Sequence, residues 1–419
     1  MLRKFNAIIY LLANVSVALV PFLLMPILTR YLGPSGYGQI SMFQIAISFS
    51  SACIGLSTHG AVGTKWYKLS SNEIKKFISN AILLNMALFF VFLFVSNYFQ
   101  SNIETVLSIT IEWFYFSAMI SFFNAIILIR LIIWQMEEQS FKYALIQVLT
   151  ALTLGGLSYL LVVFWDFGAD GRVYAHLCAY VVFFLISLLS LMLDGYIRFE
   201  VTVAYLKDAL KFGVPLIPHV IGGYALSMVD RIMINKYLGL DVAGAYMVYV
   251  QVSLCLYILS DAFNKALLPM VYKALSDDDY NGKIAIVRIS YGFLLFLILC
   301  VFVAFLIGNQ LIELLAGNGF ILPKGVLAIL VLGQAFQGMY FIFTNYLFYN
   351  GKTYLTAVAT CLSGVFGCGM IWLLINSYGV YGAAIGQASG MLSLCLLTWF
   401  FANKVYPMPW FDKRVIRFE

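Results

Sequence analysis

Few residues in this chain could do chemistry, and most of them interrupt long apolar runs. Arg30 closes the first such run. Its planar fork of N–H donors suits a diphosphate gripped by two parallel hydrogen bonds, whereas a side chain that snorkels to the interface and fixes helix depth is the plainer reading. Asp230 and Arg231 fall well inside another apolar run. Adjacent helical positions point about 100° apart, so the two need not pair, and Arg231 is a second candidate phosphate contact, with a structural ion pair as its competitor. Asp261 and Lys265 stand four apart on one helix face, in the order that favours a local pair. Alternatively, Lys265 meets an incoming anionic headgroup. Glu112 is the isolated carboxylate of an apolar segment and the first candidate to carry a proton, with Asp230 as its rival.

Other features read as scaffold. Arg130 and Lys142 flank one short connection and are expected to anchor it at the membrane surface. The three His, among them His59 and His219, are widely separated, which argues against a metal site. The seven Cys are scattered singly, without a CxxC, and are expected to be small buried hydrophobes. Tyr224, Tyr246 and Tyr249 could stack on sugar rings. Gly382, Gly386 and Gly390, spaced four apart, form a small-residue stripe for close helix packing. No Walker A motif, HExxH or Gly-x-Ser-x-Gly elbow occurs. Neither an enzyme nor a bound cofactor is expected.

Composition dictates what must position these residues. Of 419 residues, 63% are apolar and 11% charged, against about 25% charged in a soluble domain. Such a chain cannot cover itself for water, and its apolar runs are too long for barrel strands. An all-α polytopic membrane protein is expected, with twelve spans near 6–29, 37–62, 77–99, 107–132, 142–164, 173–193, 212–235, 242–267, 286–308, 324–349, 353–376 and 379–402. The apolar run after Met1-Leu2-Arg3-Lys4 is too long for a signal core, so the first segment is expected to stay as a span. Tight turns are expected at Gly33-Pro34-Ser35-Gly36 and Asn376-Ser377-Tyr378-Gly379. With both termini in the cytoplasm, twenty of the 25 Lys and Arg fall inside, which is strong positive-inside evidence. Basic inner loops account for the net charge of +6, and no loop is dense enough in Lys and Arg for nucleic acid.

A mixed-charge connector near 193–211 divides the chain into an N-terminal six-helix bundle over 1–200 and a C-terminal one, with a short tail, over 201–419. An echo crosses the divide: Arg30-Tyr31-Leu32-Gly33 corresponds to Lys236-Tyr237-Leu238-Gly239, 206 residues later. An even number of spans per half makes the repeat parallel. The expected architecture is two parallel six-helix bundles around a central cavity.

The stretch from Pro26 through Arg30-Tyr31-Leu32-Gly33-Pro34-Ser35-Gly36 to Gly38 resembles the first-hairpin signature of bacterial polysaccharide-export flippases. Trp134-Gln135-Met136-Glu137-Glu138-Gln139 is similar to a second recurring feature, and Asp230-Arg231 with Tyr237-Leu238-Gly239 and Gly244-Ala245-Tyr246 to a third. The group implied is the O-antigen and capsule repeat-unit flippases, within the superfamily of multidrug and oligosaccharidyl-lipid exporters. The resemblance implies movement of an undecaprenyl-diphosphate-linked oligosaccharide from the cytoplasmic to the outer leaflet of the bacterial inner membrane. It also implies membrane lipid, the glycan polymerase and the chain-length regulator as candidate partners, and a proton or sodium gradient as candidate drive. A cation-coupled multidrug antiporter, an exporter of another lipid-linked glycan and a non-transporting scaffold are the alternatives.

Overall fold

A computed structural model describes residues 2–198 and 200–416. Arg3, Lys4, Lys413 and Arg417, four of the basic residues counted as inner, lie outside the residues whose side chains are described. Among the described residues the chain is helical throughout, with no strand, since a helix satisfies its backbone hydrogen bonds within one segment and so tolerates hydrocarbon. Among the described residues, eleven helices are long and apolar enough to cross a membrane. One of them, the apolar part of α1 (Leu2–Gly55), covers the 44 residues Leu12–Gly55. A straight helix of that length would reach about 66 Å, roughly twice the hydrocarbon thickness. Gly33 interrupts it with φ 64° and ψ −179°, so α1 supplies two of twelve crossings.

The chain separates into two compact units, Met1–Val220 and Ile221–Glu419. The first contains α1, α2 (Thr58–Lys65), α3 (Ser71–Tyr98), α4 (Gln100–Leu107), α5 (Ile111–Met136), α6 (Ser140–Tyr159) with a π-helical turn over Leu160–Phe164, α7 (Gly168–Leu193) and α8 (Val203–Gly213). The second holds most of α9 (Ile217–Leu238), then α10 (Leu240–Ser276), α11 (Tyr280–Ala316), α12 (Val326–Tyr349), α13 (Thr353–Tyr378), α14 (Val380–Val405) and the short α15 (Lys413–Ile416). Within each unit the fourth crossing, α5 or α12, is the most buried of the long helices.

Side-chain placement follows lipid rather than water. Large apolar residues such as Phe94, Leu295 and Val365 lie exposed on the perimeter, while small polar groups meet inside. Ser50 and Ser117 share a 3.2 Å hydrogen bond, Ser51 donates to Ser121 at 3.0 Å, and Asn345 donates to Asn264 at 2.8 Å. Cysteine departs from expectation. Only Cys395 is buried, and Cys178 and Cys255 are exposed; Cys178 shares an apolar outer stripe with Val182, Leu185 and Leu189.

The connector is pinned to the first unit. Lys76 pairs with Glu200 at 2.6 Å and holds that carboxyl below the usual carboxylate range by donating a hydrogen bond to it. Asn80 donates to the Glu200 carbonyl at 2.9 Å and accepts from the Thr202 amide at 2.8 Å. Lys75 donates to the Asp194 carbonyl at 2.9 Å, and Lys65 pairs with Asp208 on α8. In the second unit the tail is tied down similarly. Tyr291 donates to the Trp410 carbonyl at 2.8 Å, and Arg288 to the Arg414 carbonyl at 2.9 Å.

Both expected tight turns contract to single glycines. Pro34 already begins the helix after Gly33, where its fixed φ is an asset, and Gly379 alone joins α13 to α14. Those two helices pack with almost no space between backbones. A Cβ on Gly382 would lie 2.2 Å from the Leu374 carbonyl oxygen, and one on Gly386 would lie 2.6 Å from the Ile371 amide nitrogen.

Gly33 and Gly239, the last residues of the two matched tetrapeptides, share a backbone conformation: φ 64°, ψ −179° and φ 93°, ψ 167°. This region is essentially restricted to glycine. Nothing lies within 4 Å of an added Cβ at either position, so backbone conformation, not space, demands glycine there. Gly33→Ala and Gly239→Ala are each expected to cost about 1–3 kcal/mol, read as a lowered melting temperature of the purified protein in detergent. Gly156→Ala, at an open helical site, is the control expected to melt at or above the wild-type temperature.

Candidate functional site

Among the described residues, four charged side chains are buried: Arg130, Arg172, Asp230 and Arg231, at 1%, 5%, 2% and 6% exposure. A charge placed in hydrocarbon must find protein partners or water, and the four do so differently.

Asp230 and Arg231 lie just past the middle of α9 and do pair. The Arg231 Nε lies 3.6 Å from the Asp230 Oδ1, and the Arg231 amide donates to the same oxygen at 2.8 Å. The guanidinium also donates to the Ser227 carbonyl one turn back and contacts the Met247 sulfur at 3.3 Å. Tyr246 of α10, fully buried, lies against the same carboxylate. Tyr249 accepts a 2.9 Å hydrogen bond from the Leu322 amide. Neither ring has a face open to a sugar, since both are 0% exposed.

The remaining sequence-selected residues are at the surface. Arg30 is exposed three residues before the Gly33 break and makes no ion pair or hydrogen bond among the described residues. Glu112 is exposed in the first turn of α5, where a carboxylate also favours the helix dipole. Lys265 pairs with Asp261 at 2.6 Å, and its side chain keeps 62% exposure. Arg30 and Glu112 share a unit without touching, as Lys265 and the Asp230–Arg231 pair do in the other.

Arg130 is not the surface anchor expected of it. It is almost wholly buried, pairs with Asp194 at the start of the connector, and lies over Trp134 with its Cζ 4.4 Å from the ring centroid. Tyr196, on the same connector, donates to Glu137 at 2.9 Å, and the negative charge there pushes its phenol above its ordinary pKa, together with burial as the larger cause. Arg172 falls just outside the span expected over 173–193, in the connection before it. The helix in fact starts at Gly168 and carries Arg172 one turn inward. Polar residues at the head of α7 hide that start; only Gly168 and Asp170, a plausible helix opening, signal it. No group of three His, Cys, Asp or Glu comes together among the described residues.

A family model described as polysaccharide biosynthesis protein matches residues 4–275. The chain belongs to that family. A protein of the Lsg locus of Haemophilus influenzae is 26% identical over 96% of this chain and 98% of its own length. Among solved structures, the lipid II flippase MurJ in an inward closed conformation superposes with a TM-score of 0.74 at 16% identity, over 96% of this chain and 87% of that one. An inward-facing multidrug resistance transporter of the MATE family, in the MOP superfamily, gives 0.72 at 16% identity, over 92% and 94%. The fold is therefore shared with transporters of quite different cargo.

Removing one partner of the Asp230–Arg231 pair strands the other charge in a buried site. Arg231→Ala is expected to destabilise by about 3–5 kcal/mol, and Asp230→Asn to be destabilising in the same direction. The double variant Asp230→Asn/Arg231→Gln is expected to melt above Arg231→Ala, because no unpaired charge remains. Melting temperatures of the three variants and wild type in one detergent check this.

Proposed function

We propose that this member of the polysaccharide biosynthesis family carries an undecaprenyl-diphosphate-linked oligosaccharide repeat unit from the cytoplasmic to the outer leaflet of the bacterial inner membrane. It does so by alternating access between two six-span halves, without covalent chemistry. The observation that carries this reading is the balance of buried charge: three guanidiniums against one carboxylate, which is itself paired. That balance suits an anionic cargo. A carrier of cationic drugs instead needs an unsatisfied carboxylate within the membrane, and among the described residues Asp230, the buried carboxylate, is held by Arg231.

The physical task is to move a glycan and a diphosphate across about 30 Å of hydrocarbon while the prenyl tail stays in lipid. Arg30 is exposed and unpaired at the end of an apolar crossing, so its fork is available to a diphosphate. Arg231 is the second contact, released when its bond to Asp230 gives way, and Lys265 meets the headgroup from the cytoplasmic side. Both termini lie in the cytoplasm in this reading, in keeping with the basic inner loops. Polymerase and chain-length regulator would consume the product outside.

Reconstituted vesicles carrying the native lipid-linked repeat unit, assayed for its exposure in the outer leaflet, test the assignment. Arg30→Ala is expected to slow transfer by roughly tenfold or more, as loss of a charged hydrogen-bonding partner implies. Arg30→Lys is expected to fall between, since it keeps charge but loses the fork. Full transfer by a folded Arg30→Ala/Arg231→Ala protein overturns the roles of both residues.

Net export needs a gradient or removal of product. Glu112, exposed at the outer start of α5, is proposed as the proton carrier, with Asp230 as the rival. Transfer is expected to accelerate under an imposed proton gradient in wild type and to lose that response in Glu112→Gln. A response that survives Glu112→Gln and disappears in Asp230→Asn moves the proton path to the second unit. Indifference of wild type to both proton and sodium gradients removes coupling altogether.

A further inference from the structure

Arg172 counts in the balance of buried charge, but the export reading gives it no contact of its own. Its Nη1 donates to Ser158 of α6, itself fully buried. A guanidinium offers five N–H donors. Among the described residues no carboxylate pairs with Arg172 and no further hydrogen bond takes its remaining donors. The other buried cations are each matched by an acid, Arg130 by Asp194 and Arg231 by Asp230. Arg172 alone of the three is left with a permanent charge, a hydroxyl partner and phenols nearby.

This unmatched guanidinium lines a cavity of about 270 Å³ within the N-terminal unit, between α1, α5, α6 and α7. Gln44, Asn124, Gln147, Thr150, His176 and Tyr180 supply the polar part of its wall. His176 lies one turn along α7 from Arg172. The cavity runs from the first turns of α7 toward mid-membrane, since Asn124 is near the middle of α5 and Gln147 and Thr150 near the middle of α6. A single water occupies about 30 Å³ of liquid, so the space suits a group of several atoms. The donor set is rich in N–H and O–H groups and contains no carboxylate. Its chemistry is that of an anion site, and a planar guanidinium held on one edge and open on the other favours an oxyanion over a spherical ion.

We propose that this cavity binds a phosphate-class oxyanion, with Arg172 as its principal contact. Two sources supply that chemistry: a free inorganic phosphate or diphosphate, and the diphosphate of a prenyl-linked headgroup. Only the second rests on the export reading.

The test is calorimetric titration of the purified full chain in phosphatidylcholine nanodiscs with inorganic pyrophosphate, then with farnesyl diphosphate and farnesol. Saturable pyrophosphate binding is expected in wild type. Arg172→Gln should weaken it by about tenfold or more, as loss of a charged hydrogen bond implies, and Arg172→Lys by less, because charge without the fork keeps part of the grip. His176→Leu leaves the guanidinium in place, removes a polar wall group one turn along α7 from it, and should weaken binding several-fold, by a factor of about three or more. Competition by farnesyl diphosphate but not farnesol assigns the site to a lipid-borne headgroup. Binding of pyrophosphate alone, still dependent on Arg172, assigns it to a free anion and upholds the proposal whatever the flipping assay returns. Absence of saturable binding by wild type overturns it, as does equal affinity in wild type, Arg172→Gln and His176→Leu. If Arg172→Gln does not fold, unchanged affinity in both His176→Leu and the cavity-filling Thr150→Leu overturns it by itself. Failure here leaves the export reading standing, because that rests on transfer of the lipid-linked unit.

Discussion

Charge buried in hydrocarbon has to be answered by the protein itself, and the interior of this chain is arranged around that requirement. Taking an ion out of water costs several kcal/mol even after relaxation, so each buried guanidinium marks a place where the fold has committed other groups. Arg130 commits the connector, because its carboxylate partner Asp194 and the nearby Tyr196 both belong to it. Arg231 commits one turn of α9 through the Ser227 carbonyl and Asp230. Arg172 commits only a serine. The first two are therefore structural joints as much as candidate contacts, and the third is where positive charge is left over.

The same requirement explains why the connector behaves as part of the first unit rather than as a loose linker. Lys65, Lys75, Lys76, Asn80 and Arg130 reach it from α2, α3 and α5. Individually, exposed pairs of this kind contribute little. Together with the buried apolar cluster of Phe77, Ile78, Ile126, Ile129 and Ala209, they carry α8 along with the bundle. Rigid packing of α13 on α14, where glycines bring backbones into contact, does the equivalent work in the second unit. Dense interiors of this kind transmit strain rather than absorb it locally.

Fold and cargo separate in this group. A lipid flippase and a multidrug transporter superpose comparably well at 16% identity, so the arrangement of helices does not select what is moved. Selection lies in side chains, and here the buried charge is basic. The anionic headgroup proposed as cargo would be complementary to this basic interior in the sense that steers specificity more than raw affinity.

Hydropathy and charge alone determine class and number of crossings, whereas the division into units falls at 220/221, beyond the connector. Membrane insertion depends on runs of about twenty apolar residues and on which loops hold Lys and Arg, both of which are local properties of the chain. The recurrence of Tyr-Leu-Gly at 31–33 and 237–239 was visible for the same reason, and the two glycines adopt one backbone conformation. The candidate site was legible only in part. Arg30 and Glu112 lie at the ends of apolar runs and beside a helix break and a helix start, while Lys265 lies well inside α10, which runs past the expected span; whether Asp230 would face Arg231 depended on side-chain rotamers and on Tyr246 from another helix. Arg130 and Arg172 sit close to the ends of apolar runs, where sequence cannot distinguish a snorkelling anchor from a charge folded inward. That distinction depends on Asp194 and Trp134 for one and on Ser158 and an unfilled cavity for the other. Only tertiary packing brings those groups within reach, because the energy of a charge is set by its neighbours in space.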